Sequence, residues 1–167
     1  QAAVLDRPAR LAVPTGFERL SIVRANQSLA PYNRPEPDRE GLNQFLLRDA
    51  LTDFIGYDLI LIDCPPNLYL ASWSAMLASD HVVIPVPPED FGAQGLRVVH
   101  QALTHAGLLN PRLRLAGHLV TRSDGRLLVH RAYEQKLRAL YRDTVFDAVV
   151  PEASAFKVAL ACRTPVS

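Results

Sequence analysis

An uninterrupted aliphatic run at residues 59–62, Leu-Ile-Leu-Ile, leads directly into Asp63 and is followed closely by two prolines. A strand that is apolar at every position has both faces covered, which is typical of a parallel sheet between layers of helices. Pro65 and Pro66 lack N–H donors and cannot extend the ladder, so the strand should end at Asp63. We therefore predict an α/β fold with Asp63 at the carboxyl edge of the sheet, where such sheets bind ligands and an Asp can hold a Mg²⁺-bound water. From these residues alone, an N-cap or a turn former is the simpler interpretation of Asp63.

The rest of the chain alternates short apolar runs with amphipathic segments. The pattern predicts strands at residues 20–25, 81–86, 113–120 and 145–150, and helices at residues 38–55, 70–77, 92–106, 127–141 and 154–161. Asp38 is expected to cap the first helix, and Gly107 to end the third. This alternation implies right-handed crossovers and a doubly wound, mostly parallel sheet. We expect residues 1–167 to form one domain, since a chain of this length can bury a core of its own.

The charge of the chain is nearly balanced, because 18 basic and 17 acidic side chains give a net charge of +1. This excludes a polycation and leaves a local patch as the only electrostatic route to nucleic acid. Each arginine alone is most simply a solvated surface charge, but together they predict a basic surface. The cluster lies between residues 112 and 142 and consists of Arg112, Arg114, Arg122, Arg126, Arg131, Lys136, Arg138 and Arg142.

Hydrophobic runs and cysteine spacing indicate the cellular compartment of the protein. No apolar run approaches the roughly 20 residues that cross a bilayer, and the N-terminal residues contain no apolar core of a secretory signal. Cys64 and Cys162 lie on separate motifs without metal-ligand spacing, so we expect reduced thiols. These features predict a cytoplasmic protein.

From residue 42 onward, the order of motifs resembles the ParA family of deviant Walker-type ATPases, which move plasmids and chromosomes. The family pattern is a strand ending in Asp, a Pro-Pro turn, a helix ending near Ala-Ser-Asp, a Val-Ile-Pro-Val strand, and an aromatic residue followed by Gly-Leu. These places are filled by Asp63, Pro65-Pro66, Ala78-Ser79-Asp80, Val83-Ile84-Pro85-Val86, and Phe91 with Gly95-Leu96. Residues 115–126 and 145–166 resemble the family's next strand with its base-side loop, and its last strand with the loop behind it.

The resemblance implies a P-loop NTPase-like fold and a set of functional residues. Asp63 would be catalytic and hold Mg²⁺ through water, and a switch would respond to the γ-phosphate of ATP; we refer to its residues, Cys64, Pro65, Pro66 and Asn67, as the switch. The adenine would be lined by Thr121, Arg122, Pro151 and Glu152. Arg126 falls where relatives carry a basic residue implicated in sequence-independent DNA binding, and a second such position falls on Ala155, with Lys157 two residues away.

The resemblance also implies partners. These are an ATP-bound homodimer with Trp73 near its interface, non-specific DNA on the nucleoid, and a ParB-like activator. Two alternatives remain: a MinD-like or cellulose-synthesis-associated ATPase that positions a membrane or synthase partner, and an inert truncated scaffold. The chain contains no Gly-x-x-x-x-Gly-Lys-(Ser/Thr) loop, and its two lysines, Lys136 and Lys157, lie outside Gly-rich loops. We therefore expect an interior fragment that lacks material at both ends and is inactive alone.

Overall fold

The computed structural model describes residues 11–88, 93–164 and 166. Their contacts divide the chain into two compact units. The first unit contains the described residues up to Asp80 together with Val99–Leu113, and the second contains His81–Val98 and the residues from Arg114 onward. Within the described ranges, no helix is long and apolar enough to cross a membrane.

The first unit opens with a short antiparallel hairpin. Strand β1, Ala12–Pro14, pairs with β2, Ser21–Val23. The strand predicted at residues 20–25 is therefore confirmed in shortened form, whereas β1 was not predicted because three residues ending in proline carry little periodicity. Two 3-10 helices follow, Gln27–Tyr32 and Pro37–Phe45, and the second leads into helix α1, Leu46–Leu51.

The continuous helix predicted for residues 38–55 is wrong. The helical stretch starts at Pro37, with Glu36 rather than Asp38 at the capping position, and Gly41 interrupts it at φ 56° and ψ −126°. A positive φ is costly for residues with a Cβ but not for glycine, so Gly41 allows the chain to turn there.

Helix α2, Leu70–Ala78, forms the core of the first unit, as predicted within one residue. Trp73 is 6% exposed, and its Nε1 donates a hydrogen bond to Gln44 Oε1 at 2.8 Å. Within this structure Trp73 is thus a core residue rather than a surface one. Helix α3, Ala93–Leu109, runs past Gly107, so the predicted stop at that glycine is wrong. Asn110 follows α3 and donates from Nδ2 to the carbonyl oxygens of Met76 and Ser79, which closes the end of α2.

The second unit contains a parallel sheet in the order β3-β4-β5. Its strands are β3, His81–Val86, β4, Arg114–Ser123, and β5, Val145–Pro151, and its helices are α4, Leu128–Tyr141, and α5, Ser154–Cys162. A 3-10 turn, Arg142–Thr144, joins α4 to β5. Six apolar side chains of these strands and helices are buried: Ile84, Val86, Val120, Leu137, Val145 and Ala159. The predicted strands and helices of this unit are confirmed, and with them the mostly parallel α/β fold.

The strand predicted at residues 59–62 is not formed. This segment has no regular secondary structure, and Leu59 and Leu61 are 72% and 84% exposed. An apolar run indicates that a segment prefers to be buried. A strand also needs a neighbouring strand whose backbone forms hydrogen bonds with its N–H and C=O groups. No described residue pairs with this segment.

Candidate nucleotide switch and basic surface

Asp63 lies in a segment without regular secondary structure rather than at the end of a strand. It is exposed, and within the described part of the chain its carboxylate makes no hydrogen bond or ion pair. An exposed and unengaged carboxylate is able to accept hydrogen bonds from water or to bind a cation, while a turn former or an N-cap would bond to a nearby backbone N–H group. The local geometry therefore leaves the Asp63 oxygens available to a ligand.

Cys64 is exposed as a residue, and its Sγ lies 3.7 Å from the carbonyl oxygen of Ile62. Desolvation of the sulfur and, after it, the negative charge of Asp63 raise the pKa of the Cys64 thiol, while a hydrogen bond with Ser72 acts in the opposite direction. Only the thiolate is a strong nucleophile. The structure therefore gives Cys64 the properties of an unreactive thiol beside the candidate catalytic carboxylate.

The rest of the switch is tied to the start of α2. Asn67 N donates to Pro65 O at 2.8 Å, and Asn67 Oδ1 accepts from Tyr69 N at 3.2 Å. Ser72 Oγ, one turn into the helix, donates to Pro65 O at 3.2 Å. These contacts join Pro65 and Asn67 to the helix that follows, so a displacement of the turn would be passed to α2.

A distant part of the chain completes the start of α2. The first N–H groups of a helix have no partner within it. Here Leu70 N donates to Arg34 O at 2.9 Å, and Ala71 N donates to Asn33 Oδ1 at 3.0 Å. Asn33 Nδ2 also lies 3.4 Å from Asn67 Oδ1. Sequence analysis did not identify Asn33 because no local pattern marks a contact with a residue 34 positions away.

The residues predicted to line the adenine lie at the carboxyl edge of the second unit's sheet. Thr121 and Arg122 lie near the end of β4, and Pro151 and Glu152 at the end of β5. Ser123 is in register with Pro151, and Glu152 N donates to Ser123 O at 2.9 Å. The structure thus brings the two pairs together at the edge where open α/β sheets bind ligands.

Arg122 has a strained backbone at this edge. Its φ is 54°, a left-handed conformation that costs a residue with a Cβ about 1–2 kcal/mol. Its Nε lies 3.4 Å from Glu152 Oε2, and Lys157 Nζ lies 3.4 Å from Glu152 Oε1. Such strain persists where the surroundings enforce it and is frequent at functional sites. Glu152 therefore forms ion pairs with two basic side chains: Arg122, which is predicted to lie beside the adenine, and Lys157, which is predicted to contact DNA.

Arg126, the other predicted DNA contact, is bound to an acid that sequence analysis missed. Its Nε and Nη2 donate to the two carboxylate oxygens of Asp124 at 2.9 and 2.7 Å. The hydrogen bonds and charge of Arg126 lower the pKa of Asp124 to about 2. The Asp-Gly pair at residues 124–125 is a turn signal that could have drawn attention to Asp124.

Elsewhere in the basic segment, charges are partly paired. Arg112 pairs with Asp80, and Arg138 with Glu134. Within the described ranges, Arg131, Lys136 and Arg142 make no ion pair. The segment is therefore less positive than its sequence suggests, with its unpaired cations on or beside α4.

The described residues offer limited means of holding a metal. They contain no group of three or more His, Cys, Asp or Glu side chains placed to share an ion. Mg²⁺ keeps several waters and is usually bound by one or two carboxylates together with substrate phosphates. A single available carboxylate at Asp63 fits that type of site and does not fit a metal held by protein ligands alone.

Comparison with known proteins gives a consistent result. Residues 9–115 match a family described as an AAA domain. The chain is 42% identical over 129 residues to the chromosome-partitioning ATPase Soj of Thermus thermophilus, a match covering 72% of this chain and 51% of Soj. It is 33% identical over 154 residues to the chromosome partitioning protein ParA of Myxococcus xanthus, covering 90% of this chain and 54% of that protein. The chain therefore spans about half the length of these curated relatives.

Solved structures show the same fold. Cobyrinic acid a,c-diamide synthase from Mycobacterium smegmatis, solved with a bound ATP analogue and magnesium, matches with a TM-score of 0.78 at 24% identity. The match covers 89% of this chain and 61% of that one.

Proposed function

Since this chain belongs to the ParA family of deviant Walker-type ATPases, we propose that it is part of an ATPase that dimerises with ATP and binds DNA without sequence preference, and so partitions plasmid or chromosome DNA. The observation that carries the proposal is the 42% identity to the chromosome-partitioning ATPase Soj. A ParB-like protein would stimulate hydrolysis, and the protein would act in the cytoplasm on the nucleoid.

The proposed chemical role of Asp63 is to orient water. ATP with Mg²⁺ would supply the phosphoryl group and the charge that offsets its negative oxygens. Asp63 would accept hydrogen bonds from the water shell of the cation, for which its exposed carboxylate is suited. Pro65, Pro66 and Asn67 would follow the γ-phosphate, and their bonds to α2 would pass that movement to the helix.

The adenine would bind at the edge formed by the ends of β4 and β5. Thr121 and Pro151 would border the base, and Arg122 and Glu152 would hold the edge in shape through their ion pair. The support for this assignment is that the four residues meet at one edge of a parallel sheet and that one of them is conformationally strained.

The proposed DNA contacts are Arg126 and Lys157. Their side chains are 90% and 77% exposed, so a phosphate can reach them without rearrangement of the core. Contacts of this kind neutralise phosphates and release counterions but read no base. Binding should therefore be strong at low salt, weak at high salt, and the same on unrelated sequences.

The test is filter binding of the full-length protein, with ATP and Mg²⁺, to two unrelated duplexes across a salt series. Arg126→Ala should weaken binding equally on both duplexes and lower the slope of log K against log salt by roughly one unit. Arg39→Ala is the matched control, because Arg39 is a 78% exposed, ion-paired arginine outside the basic segment.

Each other outcome selects a different function. Unchanged binding in Arg126→Ala would remove this residue from the DNA surface, and a loss confined to one duplex would indicate base readout. If the wild-type protein binds neither duplex, the partition function fails. Anionic vesicles then test the alternative of an ATPase that positions a membrane partner, and the absence of any ATP turnover would favour an inert scaffold.

A further inference from the structure

The guanidinium of Arg126 is engaged on the edge that would otherwise receive a phosphate. Nε and Nη2 form the fork with which arginine binds carboxylate or phosphate through two parallel hydrogen bonds. Both donors of this fork point to Asp124, at 2.9 and 2.7 Å. A DNA phosphate therefore has to displace Asp124 or use the remaining donors of Arg126.

Asp124 is itself held in place by the turn before α4. Its N–H donates to His130 Nδ1 at 2.9 Å, and its carbonyl oxygen accepts from Leu127 N at 3.0 Å. Its Oδ1 also accepts from the backbone N–H of Arg126 at 3.0 Å. The side chain of Asp124 is only 23% exposed, against 90% for Arg126. The acid is thus the fixed partner of the pair, and the arginine is the one free to leave.

We propose that Asp124 is a positioning residue that restrains Arg126, so that the Asp124 carboxylate and a DNA phosphate compete for the same guanidinium edge. This inference rests on the proposed function, in which Arg126 contacts DNA. The competition lowers affinity for non-specific DNA and makes release easier. Since the pKa of Asp124 is held near 2, the carboxylate stays charged at every pH at which the protein would bind DNA.

The size of the effect follows from the exposure of the pair. Exposed ion pairs contribute little, and well-formed bidentate pairs are the stronger ones among them. Removing the competitor should therefore tighten DNA binding by about two- to fivefold. The slope of log K against log salt should change by much less than one unit, because Arg126 neutralises one phosphate in wild type and in the variant alike.

The variant for the test is Asp124→Asn. Asparagine keeps an Oδ1 that accepts the Arg126 backbone N–H and so preserves the turn, but it removes the negative charge. Filter binding of the full-length protein with ATP and Mg²⁺ compares wild type, Asp124→Asn, Arg126→Ala and the double variant. Asp124→Glu is the conservative control, since it retains a carboxylate.

The inference expects tighter binding in Asp124→Asn, no such gain in the Arg126→Ala background, and near wild-type binding in Asp124→Glu. An equal gain with and without Arg126 would overturn it, because Asp124 would then act only by repelling DNA. Unchanged binding in Asp124→Asn would also overturn it, while a loss in Arg126→Ala would leave the proposed function standing. If wild type binds no DNA, the proposed function and this inference fail together.

Discussion

Gly117, in the middle of β4, occupies a place where the sheet leaves no room for a side chain. A Cβ built there would lie 2.9 Å from Thr144 O and 2.9 Å from Phe146 Cε1. The aromatic ring can rotate away, but the carbonyl belongs to the backbone that enters β5. Thr144 O also lies 3.2 Å from Nδ1 of the fully buried His118. Substitution by alanine must therefore displace the start of β5 relative to β4.

The expected cost of Gly117→Ala follows from this geometry. Ordinary contacts of a Cβ begin near 3.4 Å, so the neighbours must move by about half an ångström. Forcing an additional methyl group into a well-packed region costs about 1–3 kcal/mol. The same displacement should loosen the Arg122–Glu152 pair, since β4 and β5 hold these residues in register.

Urea unfolding of the full-length protein measures the effect, with Gly107→Ala as the matched control. Gly107 lies inside α3 with no atom within 4 Å of a built Cβ. Alanine there should stabilise the protein by about 0.5–1 kcal/mol, because glycine is a poor helix former. The two substitutions should therefore change the unfolding midpoint in opposite directions. If Gly117→Ala leaves the midpoint unchanged or raises it, the packing account of β4 and β5 is refuted.

Three further predictions concern Asp63 and the switch that follows it. In the full-length protein, Asp63→Ala should lower kcat by about 100-fold or more with little loss of stability, whereas Asp53→Ala, another exposed Asp, should leave turnover unchanged. In a background lacking every other cysteine, Asp63→Asn should lower the raised pKa of Cys64 and speed its alkylation at pH 8; an unchanged rate would contradict the electrostatic cause. Asn67→Ala, which removes the acceptor of Tyr69 N, should lower the free energy of unfolding by about 0.5–2 kcal/mol, and an unaltered urea midpoint would show that this contact is dispensable.

Sequence pattern predicted the second unit well because its elements are locally marked. Strand β3 has the bounds expected from its apolar run, and both ends of α4 fall within one residue of the expected bounds. The first unit was predicted less well because its structure depends on single residues. Gly41 breaks a helix that periodicity alone extends, and Gly107 sits inside one because it adopts ordinary helical geometry.

The candidate site shows the same division. Sequence order identified Asp63, Arg122 and Arg126 as side chains of interest, and the structure leaves the first exposed and gives each arginine an acidic partner. The contacts of Asn33 could not be predicted from the sequence, because they join positions far apart in the chain. The assignment of Asp63 to catalysis, Arg122 to adenine binding and Arg126 to DNA binding stays a prediction.

The exposed run at residues 59–61 affects how the polypeptide behaves in concentrated solution. Leu59, Ile60 and Leu61 are exposed and uncharged, and their backbone groups pair with no strand in the described part of the chain. Short uncharged segments of high β-propensity template strand pairing between molecules, and this is a common beginning of aggregation. Asp58 and Asp63 flank the run, and their negative charges disfavour the stacking of identical segments in register. Neutralising these two acids would therefore promote self-association of the polypeptide even where it leaves the native contacts unchanged.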